Sequence, residues 1–216
     1  MRYYISDLHF FHAGLNNRMD KRGFTSVEEM NNYMIEQWNS RVRRNDEVVI
    51  LGDFSLGKGE ETNEILKQLK SKKILILGNH DTFIDDKKFD KSLFQWIGHY
   101  RTMNDNKRKV VLSHYPIMTY EGQFRRNEDS IATTWMVHGH VHNTDDALLV
   151  EKFKDVVREF PRKTRQNEEP VAAPIQMINC FCMYSDYIPL TLDEWIEKER
   201  NGELKSRIRG DWFYDC

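Results

Sequence analysis

Five short polar clusters carry the residues suited to chemistry: Asp7-Leu8-His9, Gly52-Asp53, Gly78-Asn79-His80-Asp81, His114-Tyr115-Pro116 and Gly139-His140-Val141-His142. Each follows a short apolar run, and strand ends are where α/β folds gather their sites. Residues two apart in an extended chain point to one side, so Asp7 with His9, and His140 with His142, are expected to converge. Asp7, His9, Asp53, Asn79, His114, His140 and His142 pool two carboxylates, four imidazoles and one carboxamide, ligand types that suit zinc, manganese or iron. One ion would leave several of these groups idle. Two ions about 3.5–4 Å apart, bridged by a carboxylate and a hydroxide, would use them all. A site of that charge stays net positive, which attracts a phosphate and acidifies the bridging water.

Singly, each residue has an ordinary explanation. Asp7 or Asp53 could cap a helix, Asn79 could serve a turn, and His114 could be a hydrogen-bonded core histidine. The set, in this order, is what carries the argument. D-x-H, GD, GNHD, H and GHxH resemble the five-block signature of calcineurin-like metallophosphoesterases, and the chain is similar to small single-domain bacterial or phage-type members.

That resemblance implies an α/β (α+β) fold of four layers, two mixed β-sheets flanked by helices. It implies one metal on Asp7, His9, Asp53 and His142 and another on Asp53, Asn79, His114 and His140, with Asp53 bridging. The cofactors would be two divalent transition-metal ions, manganese first, with iron, zinc or nickel as alternatives. His80 would bind the phosphate and protonate the leaving oxygen, and Asp81 would orient it. An in-line displacement at phosphorus needs a nucleophile, charge neutralisation and help for the leaving group, and this set supplies all three. The implied reaction is hydrolysis of a phosphomonoester or phosphodiester, on a small-molecule or nucleotide substrate. Two alternatives stay open: a nuclease, and a catalytically silent scaffold for protein binding. Scaffold members typically lose ligands or the His of GNHD, whereas every such position is filled here.

Several other residues stand near these blocks. His12 is open to a structural or a substrate-facing role. His138 shares the parity of His140 and His142, yet the family does not use that position as a ligand, so it is expected to be structural. Arg125 and Arg126 lie between the His114 and His140 blocks and are expected at the site's rim, where a guanidinium can hold a phosphate or carboxylate. Lys107-Arg108-Lys109 reads as a hairpin turn with solvated charges. Phe10 and Phe11 read as core, and His99 as a surface or packing residue.

Short apolar β-branched runs alternating with amphipathic segments must position the blocks. Strands are expected at Arg2–Ile5, Glu47–Leu51, Lys73–Leu77, Lys109–Ser113, Thr134–Val137 and Ile175–Met183. Thr25 and Ser26 ahead of Glu28 and Glu29 predict a capped helix whose Met30, Met34, Trp38 and Val42 share a face. Further helices are expected over Glu60–Lys70, around Phe89–Phe94, over Thr144–Phe160 before Pro161, and over Asp193–Arg209, which Gly202 weakens. Arg162–Pro174 reads as an exposed loop, and 144–174 together as an added helix and loop within a single domain spanning 1–216.

Length and charge agree with this reading. A chain of 216 residues can bury its own core. A net charge of −2 gives no general support for a nucleic-acid partner. No signal-like start or long apolar run points to a membrane, and the expected location is cytoplasmic. Cys180, Cys182 and Cys216 lack zinc or disulfide spacing and read as reduced thiols, the first two as strand residues. Oligomeric state is not legible.

Overall fold

The structure is a computed structural model that describes residues 1–163 and 169–204. Two four-stranded sheets are stacked between helices. The first has the order β1 (Arg2–Ile5), β2 (Glu47–Ile50), β3 (Lys72–Ile76), β4 (Trp96–Gly98), all parallel. A single antiparallel bridge between Tyr4 and Leu190 mixes its edge. The second has the order β5 (Tyr100–Asp105), β6 (Arg108–Ser113), β7 (Thr134–His138), β8 (Met177–Asn179), with β5–β6 antiparallel and the other pairs parallel.

Period-two alternation sorts the strand residues into separate cores. Tyr3, Ile5, Val48, Ile50 and Leu75 face outward against Met30, Met34 and Trp38 of α1 (Val27–Arg41) and Ile65 and Leu66 of α2 (Gly59–Gln68). Their neighbours Tyr4, Val49, Ile74 and Ile76 face inward against Val110, Leu112, Trp135, Val137 and Ile178 of the second sheet. Val111, Met136 and Met177 face out again, under Val157 of α3 (Asp145–Glu159). The segment read as an addition thus supplies the outer layer over the second sheet.

Local signals fix the helix starts. Ser26 accepts a hydrogen bond from the Glu29 N–H (3.0 Å), and the Glu29 carboxylate takes the Thr25 N–H (2.7 Å). α4 (Leu192–Arg200) opens on a capping box between Thr191 and Glu194. It buries Leu192, Trp195 and Ile196 in the inter-sheet core, where the Trp195 indole N–H donates to the Tyr4 carbonyl at 2.9 Å. The sheets are also laced together at their ends. Ser6 N–H donates to Cys180 O (3.0 Å), and Cys182 N–H donates to Ser6 O (3.1 Å).

The differences from the sequence reading have local causes. β4 is only three residues long, and β5 alternates exposed and half-buried positions, so neither makes an apolar run. β8 stops at Asn179, because the chain bridges to Ser6 at Phe181 and then turns through a 3-10 helix, Cys182–Ser185. Neither buried cysteine therefore lies within the strand; both are free, and Cys216 lies outside the described residues. The helix expected at Phe89–Phe94 is one 3-10 turn, Lys91–Leu93. α4 ends at Arg200 before Gly202 at φ 72°, and residues 205–209 of its expected span lie outside the described residues. The 162–174 loop closes on a bridge between Arg162 and Val171; its residues 164–168 are likewise outside.

Trp195 ties α4 to both sheets, so Trp195→Ala should cost about 3–5 kcal/mol of unfolding free energy in a denaturant titration. A cost below about 1 kcal/mol would show that the inter-sheet core does not depend on α4.

Candidate metal centre

All five polar blocks meet at one end of the sandwich, past the C-terminal ends of β1, β2, β3, β6 and β7. Asp7, His9, Asp53 and His142 form one donor cluster; Asp53, His114 and His140 form a second, and within each the donor atoms lie within 4.8 Å of one another. Asp53 belongs to both. The Asn79 side-chain oxygen lies 3.1 Å from His114 Nε2, beside the second cluster. Asp7, His9, Asp53, His114 and His142 are buried, His140 is half-buried, and Asn79 and His80 are exposed.

The spacing can be compared with what one ion requires. Two donors each about 2.0–2.2 Å from a tetrahedral ion stand about 3.3–3.6 Å apart. His9 Nε2 is 3.2 Å from His142 Nε2 and 3.4 Å from Asp53 Oδ2, and His142 Nε2 is 3.6 Å from Asp7 Oδ1. In the second cluster His114 Nε2 is 3.5 Å from Asp53 Oδ2. Protonation points the same way. Burial pushes the Asp7 carboxyl above its ordinary range, and the nearby His142 and His114 oppose this only in part. Burial and the neighbouring His142 hold His9 far below the ordinary histidine range, which keeps the imidazole in its neutral, ligating form. Burial works against ionised Asp53 too, but the His114 hydrogen bond, the charges of His114 and His9 and the backbone N–H of His80 together outweigh it and hold that carboxyl below its ordinary range.

The pairs converge by a different backbone route from the one expected. Asp7 (φ 56°), His9 (φ 51°), Asp53 (φ 51°), His140 (φ 70°) and His142 (φ 44°) all occupy the left-handed region, so sharp turns, not strand alternation, aim them. Gly52 (φ 84°) precedes Asp53, and a Cβ there would stand 2.3 Å from His114 Nδ1, so no larger residue fits between the two blocks.

The remaining expected residues divide. His80 belongs to neither donor cluster; its ring stands 5.4 Å from that of His9 and 6.4 Å from that of His12, centroid to centroid. His12 is half-buried, and its Nδ1 is buried with no hydrogen-bond partner. Asp81 is buried and accepts from the N–H groups of Phe54 (2.7 Å), Gly78 (2.8 Å) and Asp53 (3.0 Å). It acts on the turn that carries His80 and not on the imidazole. His138 is buried, its Nδ1 3.0 Å from the Gly139 carbonyl, and burial lowers it to about 4, so it stays neutral.

Arg125 and Arg126 are not at the rim. Arg126 donates to the Pro174 carbonyl at 2.5 Å, and Arg125 borders Lys109 and Thr134, which begin β6 and β7. The loop between the His114 and His140 blocks must return to the start of the parallel strand β7, and that return carries both arginines to the far end of the sheet.

Two residues escaped the sequence reading. Asp20 Oδ1 is 2.7 Å from His142 Nδ1, which turns the Nε2 lone pair toward the cluster. Burial pushes the Asp20 carboxyl up, but its bonds to His142 and Arg22 bring it below the ordinary range. Buried Arg22 binds Asp20 Oδ2 (2.9 Å) and donates to the carbonyls of Leu8 (2.6 Å) and Asp7 (2.9 Å), holding the D-x-H turn from behind. They sit in an irregular segment; the only signal is an Asp and an Arg two apart soon after the block.

Comparison with known proteins agrees with this geometry. The calcineurin-like phosphoesterase family matches residues 3–203. The chain belongs to the calcineurin-like phosphoesterase family. An uncharacterized protein of Methanocaldococcus jannaschii is 36% identical over 142 residues, covering 65% of this chain and 68% of its own. The Gene 66 protein of Mycobacterium phage D29 is 28% identical over 163 residues, covering 65% of this phosphoesterase and 78% of its own length. The crystal structure of a protein of unknown function from Aquifex aeolicus shares the fold, with a TM-score of 0.58 at 23% identity over 92% of this chain and 98% of that one. Family membership implies a phosphate-ester hydrolase, and its buried Asp–His cluster is a donor set able to bind metal. No helix among the described residues is long and apolar enough to cross a membrane.

Since Asp20 bonds the far nitrogen of the candidate ligand His142 and offers no donor atom to the cluster itself, Asp20→Asn should weaken divalent-metal binding about 10–100-fold in competition with a chelating dye. The chelated variant should melt within a few degrees of the chelated parent. An unchanged metal affinity would remove the orienting role.

Proposed function

We propose that this phosphoesterase hydrolyses a phosphomonoester or phosphodiester of a small molecule or nucleotide at a dinuclear centre. The observation that carries this is Asp53, whose carboxylate belongs to both donor clusters and lies between His9 and His114. Asp7, His9, Asp53 and His142 would hold one ion, and Asp53, Asn79, His114 and His140 the other. The donor types admit manganese, iron, zinc or nickel, with manganese first. When bound, the pair would supply a hydroxide nucleophile and neutralise charge on the phosphoryl oxygens.

The chain's own residues do the rest. Asp53 accepts the His80 N–H at 2.8 Å through Oδ1, which ties the turn bearing His80 to the bridging carboxylate. The exposed imidazole of His80 then stands over the open side, free to donate a proton to the departing oxygen. His12, whose ring is 6.4 Å from that of His80, would contact the substrate in this reading. Asp81 fixes the turn, so the acid keeps its position relative to the donors.

Protein purified without chelator and reloaded with Mn²⁺ should carry two transition-metal ions per chain by elemental analysis. Asp53→Asn should lose both metal and activity yet still unfold cooperatively. One tightly held ion per wild-type chain under excess Mn²⁺ would count against the shared carboxylate.

His80→Asn tests the leaving-group role. Turnover should fall about 10²–10⁴-fold with metal content unchanged, and less for p-nitrophenyl esters than for alkyl esters. Equal losses for good and poor leaving groups would remove the acid role.

A further inference from the structure

At the other end of β6 and β7, a cavity of about 480 Å³ opens on the outer face of the second sheet. It is lined by Thr102, Asn104, Lys107, Lys109, Arg125 and Thr134, with Met103 and Thr133 completing the wall. Lys109 and Thr134 begin their strands, whereas His114 and His140 follow the opposite ends, so roughly 15 Å of strand separates this recess from the donor clusters.

Three observations bear on what it takes. Its lining holds three cationic side chains, Lys107, Lys109 and Arg125. Glu121 pairs with Lys109 and also acts electrostatically on Arg125, while among the described residues no carboxylate lies within ion-pair distance of Lys107 or Arg125, so one carboxylate faces three cations. The recess therefore keeps a positive excess within a chain whose net charge is −2. Second, Thr134 is 1% exposed and its hydroxyl has no hydrogen-bond partner. A buried hydroxyl left unpaired is costly, which marks a place for a bound group. Third, the geometry is convergent. A Cβ on Gly122 (φ 75°) would stand 3.1 Å from Thr134 Oγ1 and 3.3 Å from Arg125 Nε, so the hydroxyl and the guanidinium border one spot that glycine leaves open.

We propose that this recess is a second, non-catalytic site for the phosphate group of a small phosphorylated molecule. A guanidinium, two ammonium groups and hydroxyls in one recess can together serve the several oxygens of a phosphate, which offers more acceptors than a carboxylate. The volume falls in the range of small-ligand sites, about 300–1,000 Å³, so the phosphate has room for an organic substituent. A nucleic-acid backbone would call for a basic stripe, and here the cations gather in a single recess. The proposal goes beyond the hydrolytic reading and does not depend on it.

Calorimetric titration of the metal-loaded protein with orthophosphate, methylphosphonate or succinate tests this. Wild type should bind one more equivalent of orthophosphate than Arg125→Gln or Thr134→Val, or bind that equivalent at least tenfold more tightly. Methylphosphonate, which resists hydrolysis, should behave likewise and succinate should not. Both variants should hydrolyse p-nitrophenyl phosphate as wild type does, whatever that rate is, so failure of the catalytic reading would leave this difference intact. The same stoichiometry and affinity in wild type and both variants, or binding of succinate as tight as that of phosphate, would overturn the proposal.

Discussion

The donor-bearing end of the sandwich is arranged around the carboxylate of Asp53. Its Oδ1 accepts the His80 N–H, and its Oδ2 lies 3.4 Å from His9 Nε2 and 3.5 Å from His114 Nε2. Its backbone N–H goes to Asp81 and its carbonyl accepts the His9 N–H at 2.9 Å. One residue thus links the turns after β1, β2 and β3 to a histidine borne by the other sheet. A carboxylate with 2% exposure needs this much positive partial charge to remain ionised, which is why the surrounding groups are imidazoles and N–H donors.

Holding so many donors in one dry space carries a backbone cost. Five of the expected ligands sit at positive φ, a conformation costing on the order of 1 kcal/mol or more per residue when it persists without glycine. The surrounding structure over-determines it. Parallel pairing of β1 with β2 places Ile5 opposite Ile50, so the D-x-H and GD turns leave the sheet side by side and bond to each other. Arg22 grips the carbonyls of Asp7 and Leu8, the Cys182 thiol lies 3.2 Å from the Asp7 carbonyl, and the His140 N–H donates to Asp7 Oδ1 at 3.0 Å. The turns are therefore held from the sheet edge, from behind and from across the inter-sheet seam.

This arrangement explains which features the sequence reveals. A donor block is short, and the fold needs Gly, Asp, Asn and His at adjacent positions to make the turn and the ligand together, so each block is readable alone. β1, β2, β3, β6 and β7 are buried on both faces and read as apolar runs. β5 lies at an edge with exposed Tyr100, and its alternation of large and polar residues carries little apolar signal. Asp20 is hard to read because its bond to His142 spans a long sequence distance, and Arg22 because its grip on the Asp7 and Leu8 carbonyls belongs to an irregular segment that leaves no periodic signal. Arg125 and Arg126 were misplaced for a related reason. Sequence position between two site blocks says nothing about which end of a sheet the loop crosses, and a parallel connection must visit both ends.

The same topology separates the two faces of the centre. Asp7, His9 and His142 lie on the deep side, backed by Asp20 and Arg22, with His142 packed against Phe181 at 4.6 Å between centroids. Asn79, His80 and Tyr115 are exposed, and His12 and His140 half-buried, on the side that opens to solvent. Asp7 and His142 on the deep side are fixed before any ligand arrives, Asp7 by the Ser6 hydroxyl and the His140 N–H and His142 by Asp20, whereas His9 is held by burial, its Nδ1 having no hydrogen-bond partner. Groups on the open side have fewer partners and keep rotamer freedom. Under the hydrolytic reading, rigidity sits where a metal must be gripped and freedom where esters of different shape must enter and a proton must leave. Under the same reading, the deep donors come from the turns after β1 and β7 and the exposed residues from those after β3 and β6, with half-buried His12 and His140 between them, so the layer order of the sandwich would decide which residues grip metal and which meet the substrate.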